Sequence, residues 1–518
     1  MSNATGDTYT PVKNPLLLLG TVMLSTIIMT IDMTIANVAL PHMQGSLSAT
    51  QDQISWVLTS YIVASAILIP PSGYLAGKFG RQRLLSGCIG GFLVASMLCG
   101  TATTLMEMVI FRALQGAFGA AIAPVGQSLV MDHFPPHRRG LVLSIWGMGV
   151  MLGPVIGPTL GGHLTEALNW RWVFYINAPL CLLALLGVWA SIPPGKKENP
   201  QPFDFFGFGL ISLAIGSLQL MLDRGHSLNW FDSAEIIIEA GIAALCLYMF
   251  VVHIFTSRHP FIEPKLFSDR NLLSGLLMVA LTQVVLMGQM ALLPNFLQQL
   301  MHIPADIAGY LMMPRGLASI VGMALTGKLI GRIDSRHMMV FGLFLLGLSM
   351  YDMSQISLDV SHRTIFLIGL QQGFGISFLS APMTSVVFAT LQPALRTEGA
   401  AMYSLLRNIG GSIGISYFFT RIATETQINH QHLGENITAF NAEGSLPALW
   451  NWHSTAGAMS LDAEIMRQAA SVAYLNNYFL MGAMLLAVIP LCFLFKREPV
   501  LSVPKKIGVN AGAAAATE

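Results

Sequence analysis

The sequence predicts an all-α integral membrane protein with about fourteen transmembrane helices. Three observations predict it. Of 518 residues, 53% are hydrophobic and 10% charged, with a mean hydropathy of +0.62. Soluble domains carry roughly 25% charged residues. Apolar runs of about 20 residues, the length that crosses a bilayer, recur along the chain. Basic residues collect after every second run, as expected for a chain that weaves across a membrane.

The runs fall near 15–40, 53–74, 84–104, 106–131, 141–163, 172–192, 205–223, 234–256, 272–298, 307–330, 338–357, 364–391, 399–420 and 474–495. The first is too long for a cleavable signal peptide and continues into Asp32 and Pro41. Lys78, Arg81 and Arg83 follow the second run, Arg138 and Arg139 the fourth, and Lys196 and Lys197 the sixth. Arg258, Lys265 and Arg270 follow the eighth, Lys328, Arg332 and Arg336 the tenth, Arg396 the twelfth, and Lys496, Arg497, Lys505 and Lys506 the last. The other loops carry Asp52, Glu166, Asp232, Asp306 and Asp359. Both termini are therefore expected in the cytoplasm. The polar stretch 421–470 faces outward, with Asp462 to Ala473 as a short amphipathic helix on the membrane surface.

The chain repeats itself weakly. Gly73-Tyr-Leu75-Ala-Gly77-Lys78 matches Gly327-Lys-Leu329-Ile-Gly331-Arg332, and Gln115-Gly116 matches Gln372-Gly373, at offsets of about 254 to 258 residues. Two halves of six helices give a smaller offset, so two helices stand between them. The expected division is a cytoplasmic N-terminus (1–14), a six-helix bundle (15–192), two inserted helices (205–256), a second six-helix bundle (272–495) that includes the outer loop 421–470, and a cytoplasmic tail (496–518). Parallel repeats of this kind mark alternating-access transporters, with the substrate near the midplane between the halves.

Within the fifth run, GVMLGPVIGPTLG places glycine at 149, 153, 157 and 161 and proline at 154 and 158. Glycine and proline cost about 1 and 3 kcal/mol in a helix interior in water. In lipid the helix persists, and the bare stripe admits a second helix closely. The stripe is either plain packing or a gate. The counterpart Asn408 to Gly414 is also rich in small residues, and the two stripes are expected to face opposite halves across the substrate path.

A charge at the bilayer centre costs about 2.5–3.5 kcal/mol on insertion scales, so each is a functional candidate. Asp32 is the clearest, as a proton site that also meets cationic drugs; the alternative is a structural carboxylate. Arg112, aligned with Gly369 and so a charge of the first half alone, either biases that site or forms a static pair with Glu107 or Asp32. Asp223 and Arg224 are expected to pair locally, while Arg315 and Arg407 line the cavity or hold helix ends. Candidate substrate contacts are Asp32, Asn37, Gln115, Gln127, Gln283, Gln289 and Arg407, the neutral ones also serving as interhelical glue. His42, His133, His137 and His337 lie near span ends and are expected to be solvated. The five cysteines lie in apolar stretches without metal-ligand spacing and read as buried fillers. No catalytic, nucleotide or metal motif stands out, so the expectation is a transporter with no cofactor, driven by the proton motive force. A net charge of +1 gives no case for nucleic acid.

The chain resembles the major facilitator superfamily, and within it the fourteen-helix drug:proton antiporters of the EmrB/QacA type. IDMTIANVALP (31–41) resembles the first-helix signature, and GYLAGKFGRQRLL (73–85), with Gly73, Lys78, Gly80 and Arg81, the cytoplasmic loop motif. FRALQGAFGAA (111–121) resembles the fourth-helix arginine motif, and the ladder Gly149, Gly153, Pro154, Gly157, Pro158 and Gly161 the antiporter motif. WRWVFYINAP (170–179), GSLQLMLDRGHSLNWF (216–231) and SLLRNIGGSIG (404–414) point to the EmrB branch. The loop motif departs at Gly77, where the family carries an acid that latches the loop to a neighbouring helix. The resemblance implies a major facilitator fold, multidrug efflux across the inner membrane through Asp32 and Arg112, a periplasmic adaptor of EmrA type and an outer-membrane channel of TolC type. Export of a metabolite, siderophore or fatty acid, or a non-transporting sensor with the same fold, are the alternatives.

Overall fold

The computed structural model describes residues 12–194, 202–225, 227–257, 260–392, 395–435, 437, 450 and 454–496. Lys196, Lys197, Arg258, Arg497, Lys505 and Lys506 lie outside them. The described chain is helical throughout, apart from short turns and one isolated bridge between Ile330 and Ile333.

The long helices are numbered α1 to α14. The first seven are α1 (Pro15–Ser46), α2 (Trp56–Leu68 with Ser72–Phe79), α3 (Arg81–Thr101), α4 (Leu105–Gly119 with Ile122–His133), α5 (Pro136–Ala167), α6 (Trp172–Tyr175 with Asn177–Ser191) and α7 (Phe205–Arg224). Then follow α8 (Ala234–Thr256), α9 (Arg270–Asn295, ending in a π-turn), α10 (Ala305–Leu329), α11 (Ser335–Ser354), α12 (His362–Ala389), α13 (Arg396–Glu435) and α14 (Thr455–Val488). Among the described residues, 11 of these are long and apolar enough to cross a membrane, and 12 if α2, bent by 61°, is one span. Of the other two, α5 has an uncharged apolar stretch over 141–158, and the apolar part of α13 is interrupted by Arg407 and Asn408. Both are long enough, at 32 and 40 residues.

Local chemistry sets the ends. Thr50 with Gln53, and Thr104 with Glu107, form capping boxes. Asp204, Asp269, Asp334, Ser361 and Ser454 cap later helices. Glu107 is thus a cap and has no contact with Arg112. Gly80 turns α2 into α3 at φ +82°, a conformation side chains disfavour. Along α1, the hydroxyls of Thr21, Ser25, Thr26, Thr30 and Thr34 bond back to carbonyls one turn earlier, so they need no water.

Helices α1 to α6 pack together, α1 against α5, α4 and α6, and α2 and α3 against α4. Helices α9 to α14 form a second group, with α12 between α10 and α11 and α13 between α9 and α14. The groups meet where α5 packs on α10 and α12, and where α2 and α4 pack on α13. Helices α7 and α8 pair with each other, and α7 lies against both α2 and α13. Leu182, Leu186 and Trp189 on α6, and Ile238, Leu245, Tyr248 and Phe255 on α8, are exposed, as lipid-facing side chains are. All five cysteines are free and buried.

Three expectations change here. The segment Asp462 to Ala473 is no separate surface helix; it belongs to α14, which begins at Thr455. Within 421–470, α13 continues to Glu435 and packs on α14 through Asn429 to the Ala469 carbonyl and His430 to Asp462. Second, Asp223 bonds Thr59 on α2 and Arg224 pairs with Glu235 on α8, so these neighbours tie α7 to two helices instead of to each other. Third, His133 is buried, its Nδ1 against the Leu129 carbonyl, while His42 and His337 are exposed. The side chain of His137 lies outside the description.

Candidate functional site

The glycine ladder of α5 faces α1 inside its own group. A methyl on Gly153 would lie 2.7 Å from the Thr30 carbonyl carbon, and one on Gly157 2.9 Å from Thr34 Cβ. Gly149 and Gly161 meet Met23 and Ile35 of the same helix. Thr34 donates to the Gly153 carbonyl across the seam at 3.1 Å. The counterpart stripe behaves alike: Gly410 and Gly414 face the backbone of α9 at Ala280 and Val284. The two stripes therefore do not face one another across the path. Small residues are used where two helices of one group come closest. The backbone is helical through Pro154 and Pro158.

Close packing on the α5 ladder holds α1 with Asp32 turned to α4 and α6. Asp32, Arg112, Gln115 and Asn177 are all buried. Arg112 Nη1 donates to Asp32 Oδ2 at 2.7 Å and to Gln115 Oε1 at 2.7 Å. Gln115 Nε2 and Asn177 Nδ2 each donate to Asp32 Oδ1 at 2.8 Å. Arg112 Nε reaches the Val57 carbonyl, and its plane lies 4.5 Å from the Tyr61 ring centre. Asn177 is oriented by Ser96, which is fixed on the Phe174 carbonyl. Every strong partner of the carboxylate is thus a donor. Adding a proton to Asp32 removes the anion these donors hold and leaves a desolvated guanidinium.

The second group carries a related cluster at the repeat offset. Gln372 stands where Gln115 stands, Gln289 where Asp32 stands, and Gln289 Nε2 donates to Gln372 at 3.2 Å. Gly116 presses on the backbone of Tyr61, and Gly373 on that of Arg315. Arg315 so occupies the place of Tyr61, and its guanidinium bonds Gln289. An intramembrane guanidinium is therefore not confined to the first half. It comes from α10 in place of α4, a swap that alignment of Arg112 with Gly369 hides. The carboxylate alone is unrepeated within the cluster.

Between the groups lies a cleft with about 670 Å³ of empty space, open solvent included. Gln127 of α4, Trp146 of α5, Gln283 of α9, Met323 of α10, Thr384 of α12 and Arg407 of α13 contribute to its wall. Of the expected substrate contacts, Gln127, Gln283 and Arg407 line it, whereas Asp32, Gln115 and Gln289 are buried inside their groups. Asn37 is exposed elsewhere on α1. Asp32 does not reach the wall of this cleft. The cleft wall touches α1 through Trp146, whose Nε1 donates at 3.1 Å to Thr26 Oγ1 on the helix of Asp32.

The basic-loop end is where the groups lock. Gly140 abuts Ile330, Gly327 abuts Leu141 and Ser144, and Gly73 lies against the backbone of Glu398. Asp132, at the end of α4, is shared by Arg81 of its own group and Arg396 of the other, the latter at 2.8 Å. The Asp132–Arg396 pair thus ties α4 to α13 across the two groups. Lys78 lies over Tyr74 and Phe79, 5.8 and 5.7 Å from their ring centres. The sequence reading missed Asn177, although it lies within a quoted motif, and missed Asp132, one residue beyond the fourth run.

Glu398, just ahead of the apolar run 399–420, accepts from the Glu263 amide at 2.8 Å. Burial pushes its carboxyl from 4.5 up to about 7, and the nearby Glu263 charge adds to the rise. The closed junction therefore holds a proton that the solvated carboxyl releases. Its stabilisation is full below 4.5 and is lost as pH rises through about 7. Spin labels at exposed Phe79 and Ile333 are expected to show a larger separated population at pH ~8 than at pH ~6. Glu398→Gln should flatten that dependence; an unchanged dependence in the variant would refute the assignment.

The sequence profile of the Major Facilitator Superfamily matches residues 22–415. The chain is 35% identical over 444 residues to the multidrug export protein EmrB of Haemophilus influenzae, covering 84% of this chain and 86% of that one. It is 31% identical over 495 residues to the fatty acid resistance protein FarB of Neisseria gonorrhoeae, covering 94% and 98%. The crystal structure of the human organic anion transporter MFSD10 (TETRAN) shares the fold at a TM-score of 0.60 and 14% identity, covering 91% of this chain and 99% of that one.

Proposed function

The chain belongs to the Major Facilitator Superfamily as a multi-pass membrane transporter homologous to multidrug and fatty acid resistance proteins, and from that premise we propose that it exports amphipathic compounds in exchange for protons. The observation that carries the proposal is the buried Asp32–Arg112 pair with its three amide and guanidinium donors. A lone intramembrane carboxylate held by a cation is costly as a static brace, and protonation is the event that releases it. Trp146 supplies the contact between cargo in the cleft and α1. The two groups act as the moving halves of alternating access, and the locked basic-loop end is the cytoplasmic gate in its closed state. One proton moving inward through 100 mV gains about 2.3 kcal/mol, enough to offset a somewhat less than hundredfold outward gradient of neutral cargo.

The proposed setting is the inner membrane with both termini cytoplasmic. An adaptor of EmrA type would dock on the helical extensions of α13 and α14, and a channel of TolC type would complete the path. Deleting 421–470 without losing adaptor pull-down would count against that surface. A second reading, export of a fatty acid, is favoured by FarB, which this chain matches over most of its length. The deciding experiment is substrate-dependent acid movement in inside-out vesicles. Ethidium should release protons from energised wild-type vesicles; no proton movement with any amphipath tried would refute coupled export.

A further inference from the structure

The two groups balance their intramembrane guanidinium differently. In the first, Arg112 lies on Asp32, so the cluster is neutral. In the second, the place of the carboxylate on α9 is taken by Gln289, and the Arg315 guanidinium bonds to that neutral amide. Gln289 is fully buried and Arg315 partly so. Among the described residues no aspartate or glutamate pairs with Arg315. The titratable neighbour in its electrostatic reach is Tyr478 of α14. The second cluster therefore holds one positive charge with no counter-charge from the chain, and an unbalanced cation in a low-dielectric interior is costly.

A second group there also lacks a partner. Tyr478 is fully buried, and its hydroxyl makes no hydrogen bond. Its ring is held edge-on to Phe296, with 6.2 Å between centres. Helix α14 packs on α9, α11 and α13, so it stands in the second group where α6 stands in the first. From α6, Asn177 donates to the Asp32 carboxylate. From α14, Tyr478 presents a donor with no acceptor. Gln289 is already committed: its oxygen accepts from Arg315 and its nitrogen donates to Gln372 at 3.2 Å. A cation and an unused hydroxyl donor, each in the other's electrostatic reach, are complementary to an anion.

We propose that the second group binds a small monovalent anion, chloride in the cell, between the Arg315 guanidinium and the Tyr478 hydroxyl. It does for the second group what the Asp32 carboxylate does for the first. One guanidinium calls for one negative charge, and a divalent oxyanion would bring an excess that no cation in the cluster meets. The anion is a resident of the protein and not its cargo, since Gln289, Gln372 and Tyr478 are buried within one group and do not line the cleft between the two. The two counter-charges differ in one property: a carboxylate takes up a proton, whereas chloride, the anion of a strong acid, does not. The second cluster therefore stays neutral at any pH at which the first can change its charge.

The test uses full-length protein in nanodiscs, with sodium chloride exchanged for sodium gluconate at constant ionic strength so that general screening is unchanged. The wild-type thermal midpoint should rise as chloride goes from ~1 to ~300 mM, the mark of a ligand that binds the folded state alone. Broadening of the chloride NMR line by the protein gives the apparent affinity directly. Tyr478→Phe keeps the ring against Phe296 and removes the donor, and should weaken that affinity about tenfold. Gln289→Glu puts a carboxylate beside Arg315, as in the first group, and should abolish the chloride response while keeping the midpoint in gluconate at or above the wild-type value. Arg315→Gln removes the cation and should also abolish the response; circular dichroism reports its folding, and if it does not fold Gln289→Glu alone decides. A wild-type midpoint and line width indifferent to chloride, or a chloride response that survives in folded Arg315→Gln or in Gln289→Glu, would overturn the proposal. Neither readout uses transport, so failure here leaves the export reading standing, and failure of export leaves the anion site standing.

Discussion

Asp32→Asn yields a folded transporter that no longer couples protons to cargo. The amide is isosteric, so the geometry with Gln115 and Asn177 is nearly kept, but one of its two ends now presents hydrogens to a donor. Arg112 loses its counter-charge while it stays buried on the Tyr61 ring. Removing one member of a buried pair costs about 3–5 kcal/mol, and the retained amide contacts put this variant at the low end. Substrate-dependent proton flux in proteoliposomes is expected to fall by about a hundredfold or more, since the only carboxylate in the cluster is gone. Binding in the cleft should change little, because Asp32 does not line it. Coupled flux that persists in Asp32→Asn moves the proton site elsewhere. Arg112→Lys separates charge from shape: Lys keeps the cation but cannot reach Asp32, Gln115 and the Val57 carbonyl at once. Normal coupling in that variant would mean that charge alone suffices.

Gly157→Val breaks the seam between α1 and α5. Even the first added carbon meets Thr34 Cβ at 2.9 Å, and a β-branched side chain adds two more. Overpacking costs about 1–3 kcal/mol, and here the displaced element is the helix that carries Asp32. Gly153→Val should do the same against the backbone of Thr30 and also disturb the Thr34 hydroxyl on the Gly153 carbonyl. The expected result is a lowered thermal midpoint together with lost coupling, where a pure gate defect would spare the midpoint. Gly241→Val on α8, where nothing lies within 4 Å, is the matched control and should be tolerated. An unchanged midpoint in Gly157→Val with coupling intact would show that α1 and α5 separate freely.

Much of the architecture was legible because the bilayer simplifies the code. An unsatisfied backbone is so costly in lipid that an apolar run of sufficient length has one outcome, a helix. All fourteen runs became long helices, including α5, where glycine and proline argue against helix in water. The outer ends of α13 and α14 were misread for the opposite reason. Polar residues there carry no bilayer signal, and the helices persist because they pack on each other. Asp32 and Arg112 stood out by the cost of their charges. Asn177 did not, since a neutral amide in an apolar run looks like any interhelical contact.

The sequence by itself determined that the chain is a many-helix membrane protein, most of its helix positions, the repeat, and Asp32 and Arg112 as charges inside the bilayer. Those follow from local composition measured against a fixed slab of hydrocarbon. Only the tertiary structure decided which face of each helix meets which neighbour. It turned the α5 ladder toward α1, put Arg315 in the place of Tyr61, tied α4 to α13 through Asp132 and Arg396, and set Arg407 in the cleft wall. The reason is geometric. A helix rotates its side chains by about 100° per residue, so spacing names a face but not its partner. The partner is fixed by close packing between segments far apart in the chain.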